Sequence, residues 1–284
     1  MIRLLSAILF LCVCSASPAQ PRPRVGLVLG GGGAKGAASV GVLKYVEEAG
    51  IPIDYIVGTS IGAIIGGLYS VGYRSAQLDS LFRNMDWEEL FSGSVSGKQQ
   101  ITDVFESWLN LPDSVDFDSL PIPFRCVATD ISTTQEVILS RGNMAKALRA
   151  SMAIPGAFKP VRWGDMLLVD GGMHNNLPVD VAKEMGADVI IAIDLTQNKH
   201  EDRTFSLKET FGIGGILDWL VSRPDWKKYN ENVKKADIYI NPDLKGYDAT
   251  SFSPRDIKNM IFIGEEAGKA ALDNIVGVNQ RIHP

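Results

Sequence analysis

Asp54-Tyr55-Ile56-Val57-Gly58-Thr59-Ser60-Ile61-Gly62-Ala63-Ile64-Ile65-Gly66-Gly67 is the stretch on which the fold turns. Asp54 to Val57 is a short apolar strand, Gly58 to Gly62 a turn, and the small residues that follow make a helix to about Val71. A serine at a strand-to-helix turn is the geometry of a nucleophile elbow. Glycines at Gly58 and Gly62 leave space where side chains would collide, and the turn presents the Ser60 hydroxyl at the helix N-terminus. The same five residues also fit a serine that simply caps the helix between two turn glycines. The strand before and the helix after favour the nucleophile.

Upstream, Val25 to Leu29 is a buried strand, followed by Gly30-Gly31-Gly32-Gly33-Ala34-Lys35-Gly36 and an Ala/Val-rich helix to about Glu48. Gly31-x-Gly33-x-x-Gly36 matches the dinucleotide-binding fingerprint, so a nucleotide-binding protein is the competing class. Its ribose-binding acid would have to be Asp54, which stands at the start of its strand instead of at its end. A phosphate-cradling loop of the Walker type fails as well, since Lys35 precedes Gly36 and no Ser or Thr follows. The loop serves better as an oxyanion hole, with backbone N–H groups between Gly31, Gly32, Gly33, Ala34, Lys35 and Gly36 converging on a developing negative charge.

Downstream, Phe124 to Thr129 and Glu136 to Leu139 are strands, Asn143 to Met152 a helix, and Met166 to Val169 a strand ending at Asp170-Gly171-Gly172. Val179 to Met185 is a helix, and Val189 to Ile193 closes the series of strands. This alternation predicts an α/β protein, a three-layer α/β/α sandwich around a mostly parallel central sheet. Arg74 to about Leu111 is expected to be a polar helical insertion capping the sheet. A catalytic core over residues 25–200 and a C-terminal helical region over 201–284, with helices near 207–221, 226–234 and 254–275, would form one domain.

On such a sheet Asp170 would lie at the same carboxyl edge as Ser60 and the glycine loop. A Ser-His-Asp triad needs a histidine, and the chain offers His174, His200 and His283. Only His174, four residues beyond Asp170, is a serious candidate. The simpler arrangement is a Ser-Asp dyad in which Asp170 takes the Ser60 proton directly.

The 284 residues are 45% hydrophobic and 21% charged, which excludes disorder and a polytopic membrane protein. A net charge of −5 without a basic block removes nucleic acid as a partner. Arg3, the apolar run Leu4 to Val13 and the small residues Ser17-Pro18-Ala19 form a secretory signal peptide cleaved after Ala19, giving a periplasmic or secreted protein. Ten apolar residues are too few for a membrane anchor, which needs about 20. Lipidation at Cys12 or Cys14 is disfavoured by the large Leu11 and Val13 before them. The mature chain then keeps only Cys126, so no internal disulfide can form. Phe205, Leu207, Phe211, Ile213, Ile216, Leu217, Trp219 and Leu220 form a helix for the core or, less often, for transient contact with a lipid surface.

Gly31-x-Gly33-x-x-Gly36, Gly58-Thr59-Ser60-Ile61-Gly62 and Asp170-Gly171-Gly172, in this order, resemble the patatin-like phospholipase family. Ser151 to Val161 and Asn176-x-Pro178 resemble segments flanking the aspartate in bacterial, secreted members, so the likeness runs from about Val25 to Leu195. The resemblance implies hydrolysis of fatty acyl esters of lipids by Ser60 as nucleophile and Asp170 as proton acceptor, with Gly31, Gly32 and Gly33 in the oxyanion loop. It implies no metal and no organic cofactor, and a lipid or fatty acyl ester as the substrate; the sequence points to no particular partner protein. Lys35 stands where many relatives have arginine, which keeps the charge but loses the fork of donors. Some secreted relatives carry an outer-membrane barrel after the catalytic domain; a chain ending at Pro284 is expected to be a free soluble enzyme.

Overall fold

The computed structural model describes residues 22–92, 98–197 and 225–282. The expected signal peptide, the apolar stretch from Phe205 to Leu220, His200 and His283 lie outside these residues. The strands are β1 (Val25–Leu29), β2 (Tyr55–Thr59), β3 (Val115–Asp116), β4 (Phe124–Asp130), β5 (Gln135–Leu139), β6 (Arg141–Gly142), β7 (Val161–Trp163), β8 (Met166–Asp170), β9 (Val189–Ile193) and β10 (Ile238–Ile240). The α-helices are α1 (Gly36–Glu48), α2 (Ile61–Ser70), α3 (Ser75–Asn84), α4 (Trp87–Ser92), α5 (Lys98–Leu109), α6 (Met144–Ser151), α7 (Val179–Glu184), α8 (Trp226–Lys235) and α9 (Pro254–Ile282).

The main sheet runs β10-β9-β1-β2-β4-β8-β7, with β5 on the other edge of β4; β3 and β6 form a separate small ladder. Its two layers of cover form two separate apolar cores. Leu27 and Leu29 of β1 pack with Ala38 and Val42 of α1 and Ile64 and Leu68 of α2 in one core. Val28 and Val57 on the other face pack with Val179 of α7, Ile190 and Tyr229 of α8 in a second. Because both faces are covered, β1 reads as an unbroken apolar run without alternation.

The central strands are parallel from β10 to β4, as expected, while β5, β8 and β7 pair antiparallel at one side of the sheet. The chain returns from β4 to β5 through a tight turn and not through a crossover helix, and the tight turn forces the reversal. The series does not close at β9, because β10 adds a parallel strand beyond it. Nor is the segment from Arg74 to Leu111 polar throughout: Phe82, Trp87, Ile101 and Phe105 are buried, with the charges on its outer side. Charged residues interleaved at helical spacing hide an apolar stripe from a composition count.

The antiparallel strand positions the site. β2 runs parallel to β4 and ends with Thr59 opposite Val127; β8 runs the other way along the same side of β4 and ends with Asp170 opposite Ala128. Two strand ends therefore meet head to head on one edge of β4. Asp170 reaches Ser60 from the opposite direction, not from a shared carboxyl edge as the sequence suggests.

Candidate active site

Ser60 stands where β2 stops and α2 begins. Its φ of 56° is left-handed, a conformation that costs a non-glycine residue of order 1 kcal/mol or more and persists only where the surroundings enforce it. The glycines enforce it: a Cβ at Gly58 would lie 2.4 Å from the Gly62 carbonyl oxygen, and one at Gly62 would lie 2.2 Å from that of Leu29. The Ser60 side chain makes no capping hydrogen bond to α2. Its Oγ donates instead to Asp170 Oδ2 at 2.7 Å. The Ser60 amide donates to Ser151 Oγ at 2.9 Å, and that hydroxyl donates to the Val127 carbonyl at 2.6 Å. Ser151 at the end of α6 thus ties the strained turn to β4.

Asp170 is 4% exposed. Its other oxygen, Oδ1, accepts from the Gly172 amide at 2.7 Å, a bond that the sharp Gly171-Gly172 turn makes possible. A Cβ at Gly171 would lie 2.3 Å from the Val127 carbonyl oxygen, so this glycine is required for space. Burial pushes the Asp170 carboxyl up to about 6, against the opposing pull of the Ser60 and Gly172 hydrogen bonds. If the carboxylate is the base, kcat/KM for ester hydrolysis is expected to rise with pH through a midpoint near 6 and hold level above it, since only the ionised form can take a proton. A pH–rate profile that falls through that range would remove Asp170 from the role.

The glycine loop is narrower as a donor set than the sequence suggests. The Gly31 amide donates to Asn176 O at 3.2 Å, Ala34 to Ala249 O at 2.9 Å and Lys35 to Gly32 O at 3.3 Å. The Gly36 amide is held by Ala34 and Gly33 carbonyls. Among the described residues, no backbone acceptor is found for the amides of Gly32 and Gly33. Gly33 has φ +57°, and a Cβ on it would lie 2.3 Å from Ala249 O. Asn176 clamps the loop from both sides of its backbone, since its Nδ2 also donates to Gly31 O at 3.2 Å.

The remaining candidates fall elsewhere. Lys35 is 4% exposed and so lies packed within the protein, not out in solvent. His174 follows the Gly171–Met173 turn and its amide bonds the Gly171 carbonyl, while the Ser60 hydroxyl is engaged by Asp170. Asp54 is held by Arg22 at 2.7 Å and by the Val25 amide, at the far end of β2 from the glycine loop. That removes the acid on which a dinucleotide site would depend. Among the described residues, no cluster of His, Cys, Asp and Glu could hold a metal ion. Cys126 is free and buried, and burial pushes its thiol pKa up.

Ser60 and Gly33 open into a cavity of about 300 Å3 walled by Ile61, Ile64, Met152, Phe158 and Phe252, with Glu88 and Thr250 exposed at its rim. Its size falls at the lower end of the roughly 300–1,000 Å3 of small-molecule sites. Sequence reasoning missed the parts played by Ser151, Asn176 and the loop carrying Phe252. Ser151 and Asn176 stand in the two segments that carried the family resemblance, but their hydrogen bonds are visible only once β4, β8 and the glycine loop are assembled.

A model of the patatin-like phospholipase family matches residues 27–183. Patatin-like phospholipase domain-containing protein 7 of Rattus norvegicus is 35% identical over 228 residues, covering 75% of this chain and 16% of that protein. Lysophospholipase nte1 of Aspergillus fumigatus is 38% identical over 283 residues, covering 88% of this chain and 18% of that protein. The chain thus spans under a fifth of the length of these curated relatives. The crystal structure of VipD from Legionella pneumophila superposes with a TM-score of 0.58 at 17% identity, covering 89% of this chain and 67% of that one, which shows a shared fold. With the elbow, the glycine loop and the aspartate all inside the matched residues, the chain belongs to the patatin-like phospholipase family.

Proposed function

We propose that the protein is a lipid acyl hydrolase that works through a Ser60–Asp170 dyad. The observation that carries this is the 2.7 Å hydrogen bond to a buried carboxylate from a strained, buried serine that lines an apolar cavity. Ser60 Oγ attacks the ester carbonyl carbon as Asp170 takes its proton, and the Gly32 and Gly33 amides receive the oxyanion. Collapse of the tetrahedral intermediate expels the alcohol, which leaves with that proton. Asp170 then deprotonates a water that attacks the acyl-enzyme, releasing the fatty acid and returning the hydrogen to Ser60. Each step uses side chains and amides of this chain, and the reaction balances without a cofactor.

Hydrolysis of a p-nitrophenyl ester and of phospholipid vesicles by the purified protein tests this. Turnover that disappears in Ser60→Ala supports the proposal; an inert wild-type chain that binds a nucleotide saturably would replace it with the competing class.

We further propose that the chain is an exported bacterial member with no protein partner needed for hydrolysis. Support comes from Arg3, the apolar run Leu4 to Val13 and the small residues up to Ala19. No helix among the described residues is long and apolar enough to cross a membrane. The mature N-terminus is expected at Gln20 when the full gene product is expressed with an export pathway and sequenced. An intact Met1 in the exported fraction would contradict this.

A further inference from the structure

The loop between β10 and α9 lies well beyond the family-matched residues 27–183, yet it forms part of the site. Its Ala249 carbonyl accepts the Ala34 amide at 2.9 Å and so holds the glycine loop, while Ala249, Thr250 and Phe252 line the cavity. The Phe252 ring sits 5.0 Å from Phe91 of α4 and 6.2 Å from Trp87, and Phe91 meets Phe158 edge-on at 5.9 Å. Three distant parts of the chain thus build one aromatic wall. Trp87, 1% exposed and anchored by its indole N–H on the Phe82 carbonyl at 2.9 Å, backs that wall from the core. Ile61, next to Ser60, and Ile64, one turn further along α2, stand among the remaining lining residues.

We propose that Phe252 and Phe91 gauge the length of the acyl chain, so that the cavity accepts an uncharged alkyl segment of limited length whose ester carbonyl lies at Ser60 and Gly33. The inference rests on the hydrolase proposal and specifies its substrate. Among the described residues that line the cavity, Glu88 at the rim is the one ionisable side chain, so an anionic group meets a like charge there. Phe91 and Phe252 are half-buried rather than core residues, which lets one of them be trimmed without removing the support behind it.

The test measures chain length without requiring turnover. Binding of neutral 1-alkanols from C6 to C16 is followed by tryptophan fluorescence in wild type, Phe252→Ala and Phe252→Leu, beside kcat/KM for the matching p-nitrophenyl ester series. Affinity is expected to rise roughly fourfold per methylene, to flatten at a definite length within the series in wild type, and to keep rising for at least two more carbons in Phe252→Ala. Phe252→Leu should fall between them. A plateau at the same length in all three proteins, a uniform loss at every length, or no alkanol binding would overturn the gauge. A shifted plateau in a protein that hydrolyses no ester would uphold the gauge and sink the hydrolase instead.

Discussion

Ser60→Ala is expected to lower kcat/KM for ester hydrolysis by at least about 10⁴-fold with the fold intact. Removal of a serine nucleophile in a comparable catalytic unit costs on the order of 10⁶ in kcat, and what survives comes from the oxyanion donors and binding. The fold survives because alanine at φ 56° carries the same backbone strain as serine, and only one buried hydrogen bond is lost, worth roughly 0.5–1.5 kcal/mol. Asp170→Asn should be nearly as inactive, since an amide oxygen can accept the Ser60 hydrogen bond but cannot take the proton. Stability should move the other way. The native carboxyl keeps its proton up to about 6 while the unfolded one releases it near 3.9, so the native state binds more protons between these values and loses stability as pH rises through them. Above that window the buried charge costs roughly 3 kcal/mol, which the asparagine avoids. Thermal melts at pH 8 are therefore expected to place Asp170→Asn above wild type, and the difference should shrink towards pH 4. A melt in which the variant is less stable at pH 8 would show that the carboxylate is not strained by its burial.

Gly264→Val is expected to unfold the protein or cost it more than about 4 kcal/mol. Helices α1 and α9 cross so closely that a Cβ at Gly264 would lie 1.9 Å from the Ala38 carbonyl oxygen, and one at Gly41 would lie 2.1 Å from that of Ile261. Backbone cannot yield as a flexible side chain can, so the helices must separate. Separation would strip Ile257, Met260 and Ile261 from the α1 face of the larger core, and losses of this size follow from so large a defect. Gly277→Ala lies in the same helix where a Cβ would meet nothing within 4 Å. It should stabilise by about 0.5–1 kcal/mol through helix propensity alone. Chemical denaturation of both variants separates the crossing from the helix itself. Equal effects would mean that the close approach at Gly264 is not what glycine serves there.

Much of this architecture is legible in local sequence because its signals are local. The strand, glycine turn and helix around Ser60, the glycine loop after β1, and Asp170 at the end of β8 each sit within a few residues of the chemistry they set up. What cannot be read locally depends on pairing between distant segments. The direction of β8 is decided by its register on β4, and the antiparallel approach that brings Asp170 to Ser60 leaves no mark in either motif. Strand β10 is three residues long and gains its identity from pairing with β9. Which amides of the glycine loop remain available depends on Asn176 and Ala249, roughly 145 and 215 positions further on. The cavity wall made by Phe91, Phe158 and Phe252 likewise exists only after three segments have folded onto one another.

The central claim is that Ser60 is a nucleophile activated by Asp170, and the most direct measurement is the site of a covalent adduct. Wild type, Ser60→Ala and Asp170→Asn are treated with an alkyl fluorophosphonate, digested and mapped by mass spectrometry. The expected result is a single phosphonyl group on the peptide containing Ser60 in wild type, slow or no labelling in Asp170→Asn, and none in Ser60→Ala. An adduct on another residue, or a wild-type protein that hydrolyses esters while Ser60 stays unmodified, would contradict the dyad.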